Sequence, residues 1–285
     1  MATNVGGRDY GFTMRSQRYE LIKAVLVIVI GTLLNIYAFY FIRFQDLPVS
    51  RYWQITVERA LSSLLTLIEI WWLYPDAMKR FTLRINRKRL LVALLILAYL
   101  SLPSIIRSGI NNYPIFSIIE GLSFALAIGV DEDLFSRGLI FASLERYGIQ
   151  VAAIISSIHF GLLHLGNVIW GGQSLSYTLT QVCSAASFGY LAVGIMLFTR
   201  SIWIPIVMHG LFDTPMQFEG IEKFTKEVTG KGDWIGTLSE LVLYCGIGYL
   251  LIIWSNELRR ERLMAFLRKH DLLFEKRGEK KEVLS

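Results

Sequence analysis

Residues 175–198 read LSYTLTQVCSAASFGYLAVGIMLF, a run without a charged side chain. An α-helix rises about 1.5 Å per residue, so this run can cross the roughly 30 Å of hydrocarbon in a bilayer. Similar runs recur on both sides of it: Leu21–Phe41, Ile55–Tyr74, Leu90–Ile106, Pro114–Val130, Ile149–Trp170, Ile202–Pro215 and Ile235–Trp254. Hydrophobic residues make up 53% of the chain and charged residues 18%, where a soluble domain is about a quarter charged. The expected fold is therefore all-α, a polytopic membrane bundle of about eight transmembrane helices. The Pro114–Val130 run is expected to continue as helix through Leu144. Leu134, Phe135, Leu139, Ile140 and Ala142 keep an apolar pattern there, and no proline intervenes.

Lysine and arginine gather at one set of run ends. Arg8, Arg15, Arg18 and Lys23 stand at the start, and Lys79–Arg89 holds Lys79, Arg80, Arg84, Arg87, Lys88 and Arg89 without an acid. Asn111–Tyr113 and Gly171–Ser174 carry no basic residue. Cytoplasmic loops hold the excess of positive charge. Both termini and the Lys79–Arg89 loop are thus expected in the cytoplasm, in a multi-pass protein of the cytoplasmic (plasma) membrane. Lys223, Lys226 and Lys231 run against this pattern and are offset by Glu219, Glu222, Glu227 and Asp233. The net charge of +6 points to the lipid bilayer as partner and not to nucleic acid. Leu258–Phe274 sets Leu263, Phe266, Leu267, Leu273 and Phe274 on one stripe with basic residues opposite. That suits a helix lying on anionic lipid, or a solvated tail helix. Met1–Gln17 has no apolar core, so no cleaved signal peptide is expected. Cys183 and Cys245 fall in apolar runs and read as packing residues, not as a disulfide or a metal cluster.

Against this background Glu132, Arg137, His164, His209 and Asp213 are anomalies. A charge at mid-membrane costs at least about 2.5 kcal/mol, so such groups face a protein interior and serve a function. Asp133 and Arg137 are spaced i, i+4 and can pair on one helix face. Glu132 is rotated about 100° from Asp133, which frees it for chemistry. The bland reading is a structural ion pair, with Arg137 snorkelling to the interface. His159 and His164 are five apart and share no face, so one of them is expected to be hydrogen-bonded packing. His209 and Asp213 are i, i+4, a carboxylate placed to orient an imidazole. Together Glu132, His164 and His209 offer one carboxylate and two imidazoles from three helices. Such a set suits general-base activation of water, stabilisation of an oxyanion, or a His₂Glu metal site. No serine or cysteine nucleophile with an adjacent base is evident, which favours water as nucleophile.

In this order, Glu132-Asp133-x-x-x-Arg137, Phe160-x-x-x-His164 and His209-x-x-x-Asp213 resemble the three motifs of the CPBP family of intramembrane proteases. That family includes type II CAAX prenyl endopeptidases and bacterial abortive-infection and bacteriocin-immunity proteins. The resemblance spans roughly Pro114 to Pro215. It implies a helical bundle around a conical active-site cavity and hydrolysis of a peptide bond in a membrane-anchored substrate, prenylated CAAX sequences among the candidates. It also implies that Glu132 activates water with His164, that His209 and Asp213 serve the oxyanion, and that Asp133, Arg137 and Phe160 support them. A zinc ion held by Glu132, His164 and His209 is one form of the chemistry; a metal-free glutamate protease is the other. Asp133 stands where the motif has Glu, and Asp213 where Asn is commoner. An ionised carboxylate cannot donate to an oxyanion, so Asp213 is expected to orient His209.

One integral membrane domain is expected: N-terminal transmembrane helices in 1–113, the CPBP-like catalytic core in 114–215, and a last transmembrane helix with a basic tail in 216–285. Two other functions compete. A non-catalytic scaffold, regulator or immunity protein would have no chemical reason to keep Glu132, His164 and His209. A proton-coupled transporter usually shows paired repeats, and none is visible.

Overall fold

Ser50 caps a helix by accepting from the Trp53 amide (3.4 Å), Ser174 does so for Tyr177 (3.1 Å) and Asp233 for Gly236 (3.0 Å). Side-chain acceptors at these positions satisfy amides that the first turn leaves unpaired. They open three of the helices of this computed structural model, which describes residues 10–41, 48–107, 110–169, 171–218, 230–256, 261 and 263–267. Among the described residues every regular element is helical. The helices are α1 (Tyr10–Phe41), α2 (Arg51–Leu73), α3 (Arg87–Arg107), α4 (Ile115–Asp133), α5 (Phe141–Leu144), α6 (Ile149–Leu163), α7 (Gly166–Ile169), α8 (Leu175–Thr199), α9 (Trp203–Asp213) and α10 (Trp234–Ser255). A helix occupies each of the apolar runs read from the sequence. Among the described residues four stretches can cross a membrane by length and composition alone: Arg18–Tyr37, Ile149–Ile169, Leu175–Thr199 and Trp234–Ser255. The remaining long helices are shorter or more charged. α2 carries Glu58, Arg59 and Glu69, α4 ends on three acids, and α9 has only 11 residues.

α8 lies at the centre, packed by α6 and α10, with α9 and α3 closing round it. Its approach to α10 is backbone to backbone: a Cβ on Gly194 would lie 2.7 Å from the Gly248 carbonyl. Small residues permit such contact where helix association depends on close packing. α4 packs between α2 and α9. Here a Cβ on Gly129 would meet the Ile206 carbonyl at 2.8 Å, and one on Gly210 would meet Leu126 Cα at 3.0 Å. These two glycines bring α4 and α9 together about one turn from Glu132 and beside His209.

The helical extension beyond Val130 exists, but its hydrogen-bond pattern changes. Leu134–Ile140 forms a π-helical turn, all of it buried, before α5 resumes the α pattern. A π turn inserts an extra residue and rotates the helix beyond it, and such turns concentrate at functional sites. The apolar pattern gave no warning of it. Next to this segment the basic loop is docked, with the Arg80 guanidinium over the Phe141 ring of α5. Arg80 pairs with Glu145 and its carbonyl accepts from the Ile202 amide (2.9 Å), while Arg89 donates to the Phe198 carbonyl at the end of α8 (2.9 Å). In the tail, Glu261 and residues 263–267 are helical. The rest of the Leu258–Phe274 stripe, together with Lys223 and Lys226, lies outside the described residues.

Candidate active site

α4 ends on Asp131, Glu132 and Asp133, and successive helical positions turn through about 100°. The flanking acids therefore face different neighbours. Asp131 is buried and ion-paired with Arg59 of α2, Nη1 to Oδ2 2.6 Å. Asp133 is fully buried; its Oδ1 lies 2.7 Å from Arg137 Nη1 and accepts from His209 Nδ1 at 3.3 Å. Glu132, between them, points into a cavity of about 300 Å³. Its nearest charged partner is His209, with Nε2 3.7 Å from Oε2, and its side chain is 23% exposed. Two acids are clamped, and the third is left facing space.

Arg137 does not snorkel. Its side chain is 1% exposed, and its guanidinium lies over the Phe160 ring, 4.1 Å from the centroid. Gly189 of α8 makes room for it, since a Cβ there would sit 3.2 Å from Nη2. Phe160 in turn packs edge-on against His164 and His209, with centroids at 5.2 and 5.7 Å. One aromatic ring thus contacts the arginine and both histidines.

His209 of α9 is buried, with a carboxylate on either side of its ring. Nδ1 meets Asp133, and Nε2 lies 3.4 Å from Asp213 Oδ2 as well as near Glu132. The sequence reading gave its orientation to Asp213 alone. The Nδ1 partner is Asp133, from another helix, which also holds Arg137. His164, at the end of α6, has Nδ1 3.1 Å from the Phe160 carbonyl. A carbonyl only accepts, so Nδ1 carries the proton and neutral His164 keeps its lone pair on Nε2. His159 is the packing histidine: its Nε2 lies 2.7 Å from Thr32 Oγ1 of α1, and its ring faces Phe135.

Glu132, His164, His209 and Asp213 all line the 300 Å³ cavity, with Arg59 and Asn35 also on its wall. A second cavity, about 330 Å³, lies toward α8 and α10 and is lined by Tyr177, Ser184, Phe212 and Glu240. Both cavities share Phe160, His164, Gln181, His209 and Asp213. The site therefore sits where two chambers meet. Among the described residues no three His, Cys, Asp or Glu side chains form a group that could hold a metal ion.

Arg59 and Asp131 are the site residues that the sequence reading passed over. The signal was present: Arg59 interrupts the Ile55–Tyr74 run, where the cost applied to Glu132 applies equally.

Residues 114–215 match the family model described as Type II CAAX prenyl endopeptidase Rce1-like. Over about a third of the chain, this core is similar to the CPBP family. The match begins at the residue preceding α4 and ends two residues after α9, so it contains all three motif segments. The CPBP core thereby marks the chain as a multi-pass membrane protein of the CAAX-protease type. No curated protein and no solved structure matches the chain. Arg59, on α2, stands outside the matched segment.

Proposed function

We propose that this protein is an intramembrane endopeptidase hydrolysing a peptide bond in a membrane-associated protein or peptide, a prenylated CAAX sequence being the candidate substrate. Both termini are assigned to the cytoplasm on the distribution of Lys and Arg. The observation that carries the function is the freedom of Glu132: its sequence neighbours are engaged in ion pairs while its own carboxylate faces a cavity shared with His164, His209 and Asp213.

In the proposed reaction a water molecule lies between Glu132 and His164 Nε2. Glu132 takes its proton as the oxygen adds to the scissile carbonyl carbon. His209 has acceptors at both ring nitrogens, so with Nε2 protonated it can turn an N–H toward the developing oxyanion. Asp133 fixes the ring through Nδ1, and Asp213 steadies it from the other side. As the tetrahedral intermediate collapses, the proton on Glu132 passes to the leaving amine and the C–N bond breaks. Chambers on both sides of the junction leave room for substrate on either side of the scissile bond, which supports internal cleavage.

Mass spectrometry of membrane peptides from cells carrying wild-type or Glu132→Gln protein tests this. The substitution keeps size and removes the base, so cleavage is expected to fall on the order of 10²–10⁴-fold. Identical peptide profiles with the variant present at normal level would overturn the reading.

A further inference from the structure

Arg59 is almost fully buried, in a helix that the family match does not cover, and its guanidinium ends on the acid immediately before Glu132. We propose that Arg59 is a positioning residue for Glu132: the α2–α4 ion pair with Asp131 sets the rotation of the last turn of α4 and so aims Glu132 into the cavity. The inference rests on the assignment of Glu132 above.

Asp131 and Asp133 project from α4 on either side of Glu132, about 200° apart. Asp133 is tied to Arg137 and His209, which lie on one side of the helix. Without a tie on the other side, α4 could turn about its axis and carry Glu132 off its line to His209. Arg59 supplies that tie at 2.6 Å. α2 is itself seated firmly, for Ile70, one of its buried residues, fills the space beside Gly138 in the π turn; a Cβ on Gly138 would meet Ile70 Cδ1 at 2.5 Å. The α2 face bearing Arg59 and Ile70 thus braces the segment on both sides of the change from α to π geometry. A misplacement of about 1 Å at a reacting group can cost roughly 100-fold in rate, so a rotational brace of this kind has a measurable consequence.

The experiment compares Arg59→Gln, Arg59→Lys and the neutral pair Arg59→Gln/Asp131→Asn with wild-type and Glu132→Gln protein, all purified in detergent. Two readouts are taken. The first is cleavage of a peptide substrate identified by the membrane peptidome. Arg59→Gln should lower kcat at least about tenfold with little change in KM, and Arg59→Lys should recover most of the loss. The second is independent of activity: the rate at which a hydrophobic carbodiimide labels Glu132, located by mass spectrometry. Arg59→Gln should change that rate severalfold, while Arg59→Lys should not. The neutral pair controls for folding, because it removes both charges and leaves no unpaired ion buried. It should fold as wild type yet resemble Arg59→Gln in both readouts. Unaltered kcat and unaltered labelling in a folded Arg59→Gln protein would overturn the positioning role. If wild-type protein cleaves nothing, the protease reading fails and the labelling result alone decides what Arg59 does to Glu132.

Discussion

α1 and α8 are long, apolar helices of nearly equal hydropathy, yet 11% of the most apolar stretch of α1 is buried and 67% of that of α8. Hydropathy does not separate them because lipid tails and a protein interior are similarly apolar. What separates them is the small and polar content of α8. Gly189 and Gly194 let Arg137, Phe160 and α10 approach, whereas the outward face of α1 presents Val29, Leu33 and Tyr37. A membrane helix reads as central when its sequence makes room for neighbours.

The comparison is broken most forcefully at the charges around α8. Asp133→Asn keeps shape but leaves Arg137 buried beside α8 without its counter-charge. Removing one partner of a buried pair costs about 3–5 kcal/mol. The expected result is a large fall in the thermal midpoint in detergent, with a fall in activity as the ionised acceptor at His209 Nδ1 is replaced by a neutral amide oxygen. Leu191→Ala, at a fully buried position of α8, removes packing with no replacement and should cost about 2–5 kcal/mol by the same measurement.

Gly210→Ala is subtler. Its new methyl would lie 3.0 Å from Leu126 Cα, and overpacking of this kind costs about 1–3 kcal/mol. Because the strain falls at the α4–α9 contact, the distance from Glu132 to His209 should grow. Activity should therefore fall further than stability does, which a kcat measured well below the midpoint will show.

The same contrast explains how much was legible in the sequence. The apolar runs predicted where the long helices fall, since each run must form its own hydrogen bonds to lie in lipid. Glu132, His164, His209 and Asp213 were marked by the cost of burying them, and the fold brings them to one cavity. Relations between helices were harder to read. Arg59 and Asp131 are 72 residues apart, and no local periodicity links them. Asp133 reads as a partner of Arg137 because i, i+4 spacing is local, while its contact with His209 depends on how Gly129 and Gly210 let two helices meet. The π turn was hidden because an apolar pattern constrains which face is buried and only weakly how the backbone winds between two buried faces. Hydropathy alone also left open which runs lie inside, and it is at α1 that this is most cleanly tested.

Leu33 on α1 is 62% exposed and, in a bilayer, meets lipid there. A lipid-facing side chain has the same apolar surroundings whether or not the bundle is assembled, so truncating it removes little that assembly had gained. Leu33→Ala should therefore shift stability by less than about 0.5 kcal/mol and leave cleavage unchanged, against the much larger loss expected for the chemically identical change at Leu191. Unfolding of both variants in the same mixed micelles makes the comparison direct. A loss at Leu33 approaching that at Leu191 would mean that protein, and not lipid, covers this face of α1 in the membrane. The low burial of α1 would then be a property of the isolated chain, and a second copy or another subunit would be its missing neighbour.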